Sequence, residues 1–367
     1  MNTSTAKLTP SEQQWLDVRT YLRNNRGSLD RAAADSYSTA ETVHDTPLLT
    51  RPHWIPSQPL PLDEIVLSLD TAAAPSDTVR LDWLPTRADG HQYTRYAEVM
   101  AQVAAPAVFE NRPTYRLLDA NLTPGHAVLE FGLGSYFDSI NTGEAAAHEF
   151  ALAHLGHRAP HGIREQVTDP CDPAQRPVNL AISTLTIRNE PDTGDKTFLL
   201  HWRDPRKVGH AGGMYQAIPV GIFQQSGRPQ WNIDNDFSLW RNMVREFAEE
   251  LHGDDEDHGS EQAPIDYGSW PFAARLDQAR DDAQLRVYCL GLGVDPLTFA
   301  TDLLTVAIID APVFDELFGS AGATNAEGRV LQRRPFTTAS VADTLRTDPL
   351  QAAGAALLRL AIDARLH

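Results

Sequence analysis

Apolar side chains recur at three- and four-residue spacing over residues 10–26, with Trp15, Val18, Tyr21 and Leu22 on one side. That period predicts a helix, and Gly27 is its expected stop. The proline-rich stretch 46–62 is restricted to extended backbone. Strands are expected at 64–70 and 78–84 and a helix over 93–105. Residues 115–142 read as strands joined by the Pro124-Gly125 turn, and the alanine-rich segment 143–157 reads as a helix. The polar, proline-rich run 158–177 contains Cys171 and marks an expected domain boundary.

The second half alternates more clearly. Residues 178–188 alternate as a strand, and the turn EPDTGD leads to an expected partner, KTFLLHWR. Residues 209–224 mix glycines with β-formers. A helix is predicted over 237–252, then an acidic loop 253–262, strands at 284–292 and 302–309, and an amphipathic helix over 348–365. Helices and strands interleave, which predicts an α/β or α+β chain. We expect an N-terminal α+β region over 1–170 and a second domain over 176–367.

Composition narrows the function classes. The chain has 367 residues, 42% of them hydrophobic, enough for two cores. No run approaches the ~20 apolar residues of a membrane span. The first fifteen residues carry no apolar segment after Lys7, unlike a secretory leader. Cys171 and Cys289 are too few for a disulfide framework and read as reduced thiols of a cytoplasmic protein. A net charge of −18 argues against nucleic acid and anionic membranes as partners. It leaves room for a small phosphorylated ligand whose charge a divalent cation offsets, and the acidic composition is compatible with a homodimer.

One helix concentrates the candidate chemistry. Leu239, Met243, Phe247 and Leu251 lie four residues apart and form an apolar stripe. Glu246, Glu249 and Glu250 stand at i, i+3 and i+4, which on a regular α-helix brings their carboxylates together on another face. Three close carboxylates raise one another's pKa, and a hard cation, Mg²⁺ or Mn²⁺, relieves the repulsion. The plainer reading of the same spacing is a solvated acidic face.

The string Arg245-Glu246-Phe247-Ala248-Glu249-Glu250 resembles the core R-E-U-x-E-E of the Nudix box, G-x5-E-x7-R-E-U-x-E-E-x-G-U. The hairpin 178–203 and the approach Ala217-Ile218-Pro219-Val220-Gly221 also resemble that family, over roughly 176–345. More loosely, the whole chain looks like actinobacterial-type proteins with a Nudix-like domain behind an N-terminal region. The resemblance implies a Nudix-like α/β/α sandwich with a mixed sheet, preceded by a smaller α+β region. It implies Glu246, Glu249 and Glu250 as metal ligands, and Arg245 as a residue that braces the helix through a carboxylate. It also implies a catalytic base from a late loop, for which Glu327 is the candidate, with a turn carrying an exposed acid as the alternative.

The chain departs from the box at three places. Phe237 stands where the upstream glutamate belongs, with Asp236 and Asp234 nearby but out of register. Trp231 replaces the first glycine, and His252 the last, with Gly253 one place late. On this reading Arg245 lacks its expected partner.

Other motifs are weaker. His148-Glu149 begins like H-E-x-x-H, but Leu152 occupies the second histidine position; His154 and His157 share only i, i+3 spacing. Gly209, Gly212 and Gly213 follow Arg206-Lys207 without a phosphate-loop signature. Arg203, Arg206 and Lys207 are candidate phosphate contacts, with solvated surface as the alternative. Tyr215 and Trp231 are candidate base-stacking residues, with ordinary packing as the alternative. Cys171 lies between Asp and Pro, a poor setting for a thiolate.

The expected function is a Mg²⁺-dependent pyrophosphohydrolase acting on a nucleoside diphosphate derivative. The alternative is a Nudix-like protein that binds a nucleotide-like ligand or a protein without hydrolysis.

Overall fold

The computed structural model describes residues 8–37, 41–74, 81–106, 109–203, 213–254, 258–319, 333–366 and, by backbone alone, 328–330. The alternating segment near 180 forms the strand Leu180–Asn189, which pairs in parallel with Thr301–Asp310 along its whole length. A parallel pair requires a long crossover, and the acidic helix lies within that connection. Thr301–Asp310 also pairs antiparallel with Leu285–Val294, which bulges between Cys289 and Gly291. Val220–Ile222 and Lys196–Phe198 pair antiparallel with Leu180–Asn189.

Side-chain alternation gives this mixed sheet two apolar faces. Leu180, Ile182, Leu303, Ala307 and Ile309 share a core with Leu239, Met243, Phe247 and Leu251 of the acidic segment. Leu185, Ile187, Leu304, Val306 and Ile308 face the other way, onto Ala356, Leu357 and Leu360 of the closing helix Ala352–Asp363. The fold is therefore a mixed α/β one, with helices on both faces of the sheet.

The N-terminal half contributes to the same sheet. Leu49–Thr50 and Leu60–Pro61 both pair with Leu285–Val294, and among the described residues the sheet has nine strands. A separate three-stranded sheet joins Val66–Leu69, Val128–Ser135 and Pro113–Asn121. It is sewn to the second half by the Tyr115 hydroxyl, which donates to the Ile233 carbonyl at 2.8 Å. Tyr115 and Phe131 also pack with Phe223 and Phe237. One apolar core runs through both halves.

Several expectations differ from what forms. Gly27 stops nothing: the first helix ends at Asn24 and a second, Arg26–Asp35, runs through it. Burial of Leu29 and Ala33 and the Arg26–Asp30 pair at 2.8 Å offset the glycine's helix cost. Of the strand expected at 78–84, residues 78–80 lie outside the described residues, and 81–84 form a turn, with Leu81 and Leu84 buried. KTFLLHWR splits into Lys196–Phe198 and His201–Arg203, which join different sheets. The intervening Leu199 and Leu200 enter opposite cores.

Helices also form at Trp231–Asn235, Pro271–Asp281, Ala311–Phe318 and Thr338–Thr347, where the apolar pattern predicts none; Pro at a first helical position and the Thr337 cap are their start signals. Among the described residues no helix is long and apolar enough to cross a membrane.

Candidate functional site

Ser238 caps the acidic helix Leu239–Phe247, its side chain accepting from the Arg241 N–H. The stripe Leu239, Met243, Phe247 and Leu251 is buried as its spacing requires. The last turn, Ala248–His252, is a π-turn, and the chain leaves it through Gly253 at φ 89°. The N–H groups of Gly253 and Asp254 both donate to the Ala248 carbonyl, at 2.8 and 2.9 Å. A π-turn holds one residue more than an α-turn. The glycine displaced by one place from the box pattern therefore still caps the helix, where a residue without a side chain suits the left-handed conformation.

The π-turn carries Glu249 and Glu250, while Glu246 stands on the α-helical part before it; all three are half-buried. The Glu246 carboxyl lies against Gly221, in the space that a Cβ there would take. Glu250 Oε1 accepts from the Val220 N–H at 3.4 Å. Glu249 Oε1 instead lies 3.7 Å from His258 Nε2, whose ring packs 4.7 Å from that of Trp270.

The expectation that three carboxylates meet is thus corrected. Glu246 and Glu250 face the strand Val220–Ile222, and Glu249 faces His258. Among the described residues no group of three or more His, Cys, Asp or Glu side chains is placed to hold a metal ion. The donors suit a hard cation in kind, all being half-buried carboxylates, but their placement does not make a three-carboxylate cage.

Arg245 does have a carboxylate partner. Asp236, fully buried, lies 3.4 Å from its Nη1. Asp236 is itself saturated: it accepts from the Ser226 N–H at 2.8 Å, the Ser226 hydroxyl at 2.6 Å and the Tyr267 hydroxyl at 2.8 Å. Arg245 further donates to Tyr267 Oη at 2.5 Å, the Gln224 carbonyl at 2.6 Å and Asn242 Oδ1 at 3.0 Å. Burial pulls the Arg245 pKa down, but Tyr267 and Asp236 outweigh it and the net direction is up. A residue one place out of register therefore supplies the brace. Phe237, at the expected register, packs with aromatic rings instead.

The remaining candidates scatter. Arg203 lies in His201–Arg203 and donates to Gln216 at 3.2 Å. Tyr215 pairs with Trp202 and bridges to Leu350, packing on the core of the closing helix, across the sheet from the acidic helix. Arg206, Lys207 and Glu327 lie outside the described residues.

His148 is a core residue, stacked on Trp15 and Trp83 and hydrogen-bonded to Tyr96 at 3.0 Å. Glu149 accepts from the Trp83 indole at 2.8 Å and from the N–H groups of Ile163 and Arg164. Burial pushes the Cys171 thiol up to about 11. Tyr267 and His258 carry no spacing signal in the sequence, being a lone tyrosine and a lone histidine near an acidic loop.

No protein-family model matches the chain, and no curated protein matches it either.

Proposed function

We propose that the acidic helix is a divalent-cation site and that the protein is a Mg²⁺-dependent pyrophosphohydrolase of the Nudix type, acting on a nucleoside diphosphate derivative. The observation that carries this reading is the buried Asp236–Tyr267–Arg245 network at the root of the acidic face. Burying an ion pair is costly, and a solvated surface helix has no need of one. When bound, a divalent cation would neutralise substrate phosphate charge and lower the pKa of a water. Glu246 and Glu250, which share the strand Val220–Ile222, would hold it, with Glu249 joining them by turning away from His258, and Arg245 holds their helix.

A second reading, binding without hydrolysis, draws support from the direction of Glu249, which faces His258 rather than its two neighbours. Melting curves with Mg²⁺ or Mn²⁺, paired with phosphate-release assays over nucleoside diphosphate derivatives, separate the two. A hydrolase gains stability from the metal and turns over; Glu249→Gln removes both effects. A binding protein is stabilised by the ligand and releases nothing. A melting temperature unmoved by millimolar metal, with or without nucleoside diphosphate, overturns the metal site.

A further inference from the structure

We propose that Tyr267 is a positioning residue for the acidic face, an inference that rests on that face being the working site. Tyr267 is 6% exposed and follows the acidic loop. Two arginines one helical turn apart grip it differently. The Arg241 guanidinium lies over its ring, 4.8 Å from the centroid, and Arg245 donates to its hydroxyl at 2.5 Å. The hydroxyl's own proton goes to Asp236 at 2.8 Å. Contacts at both i and i+4 limit rotation of the helix about its axis as well as its distance from the loop.

That rotation decides where the carboxylates fall. Arg245 Nη2 donates to the Gln224 carbonyl, and Asn242 Oδ1 accepts from the Gln224 N–H at 3.2 Å. The helix is thereby pinned two residues beyond Val220–Ile222, the strand that Glu246 and Glu250 face. The geometry leaves little slack: the Glu246 carboxyl already occupies the space that any side chain at 221 would need. The Tyr267 hydroxyl thus adds a second link between Asp236 and Arg245, beside their direct contact at 3.4 Å, and with it helps set the register of the acidic face on the strand.

Tyr267→Phe removes one oxygen and keeps the ring beneath Arg241. Asp236 retains both Ser226 donors, and Arg245 retains Gln224 and Asn242, so the variant folds. The test is the side-chain carboxyl titration of Glu246, Glu249 and Glu250, followed by ¹³C NMR in metal-free protein, with Mn²⁺ affinity measured alongside. Tyr93→Phe is the control: Tyr93 is another buried tyrosine, whose hydroxyl donates to Glu12 at 2.9 Å.

In Tyr267→Phe the titration midpoints of Glu246 and Glu250 move by about half a pH unit or more, and Mn²⁺ binding weakens about tenfold, as for other supports of ligand side chains. In Tyr93→Phe neither changes, although the melting temperature falls. Titrations in Tyr267→Phe that superimpose on wild type overturn the positioning role. If wild type binds no Mn²⁺ while the Tyr267→Phe titrations still move, the cation-site reading fails and the positioning role stands.

Discussion

Asp236 Oδ1 lies 3.4 Å from Arg245 Nη1, and both side chains are buried, at 0% and 5% exposure. An ion pair in that setting is costly to break, because the survivor keeps a buried charge. Asp236→Ala should lower unfolding stability by about 3–5 kcal/mol, and Asp236→Asn by less, since the amide still accepts hydrogen bonds. Phe237→Glu, which restores a glutamate at the expected register, should not rescue Asp236→Ala. It should cost about 3 kcal/mol or more on its own, because Phe237 packs 5.0 Å from Tyr115 and 5.7 Å from Phe131 and Phe223. Urea unfolding of the single and double variants measures all three.

Deleting His252 removes one residue from the π-turn and moves the capping glycine to the position a regular α-turn demands. His252 is exposed; its Nδ1 meets the Leu317 carbonyl at 3.0 Å, its Nε2 lies 3.8 Å from Asp254, and its ring packs 4.8 Å from that of Phe272. The shortened protein should fold, and Glu249 should turn back toward Glu246 and Glu250. Mn²⁺ affinity should rise above wild type. Affinity equal to or below wild type would show that the π-turn does not hold the glutamates apart.

Gly221→Ala tests the contact beneath Glu246. A methyl there meets only the far end of a flexible side chain, so the backbone has no cause to move. The strand should persist with a loss of about 1–2 kcal/mol, while the Glu246 carboxyl is displaced and metal affinity falls. Replacing Gly27, whose added Cβ would have open space, should leave metal affinity at the wild-type value.

Two buried groups give stability opposing pH slopes. Burial, with Arg19 adding to it, pushes His148 down from 6.5 to about 3. Between those values only the unfolded chain takes the proton, so stability present above pH 6.5 is lost as pH falls. Burial raises Asp302 from 3.8 to about 6. In that window only the folded chain holds the proton, so stability is gained as pH falls. Each single-proton slope is about 1.4 kcal/mol per pH unit. Denaturation from pH 7 to 4 should show a flatter acid loss in His148→Phe than in wild type. Asp302→Asn should gain stability relative to wild type as pH rises from 4 to 7. Slopes unchanged in both variants would contradict the assignments.

The elements legible in the chain are those whose pattern depends on near neighbours. The stripe at 239, 243, 247 and 251 is buried as its four-residue spacing requires, and the segments near 180, 285 and 302 form the long strands of the sheet. Burial on one side of a helix or strand follows from period alone. Helices such as Pro271–Asp281 were harder to see because they alternate weakly and gain their stability from the sheet they cover.

The site divides along the same line. Three glutamates on a helix beside an arginine are a property of the amino-acid order. Their directions are not, because a π-turn in place of an α-turn is decided by how Leu251 and the Gly253 cap settle against the rest of the fold. Nor is Arg245's partner a matter of register. Asp236 reaches it because a short helix and the Ser238 cap bend the chain back, and Tyr267 completes the contact from 22 residues beyond Arg245. A counted motif assumes a fixed path between its positions. Buried charges instead select whichever carboxylate the folded path brings within reach, since leaving Arg245 unpaired in the core would cost more than using a neighbour one residue away.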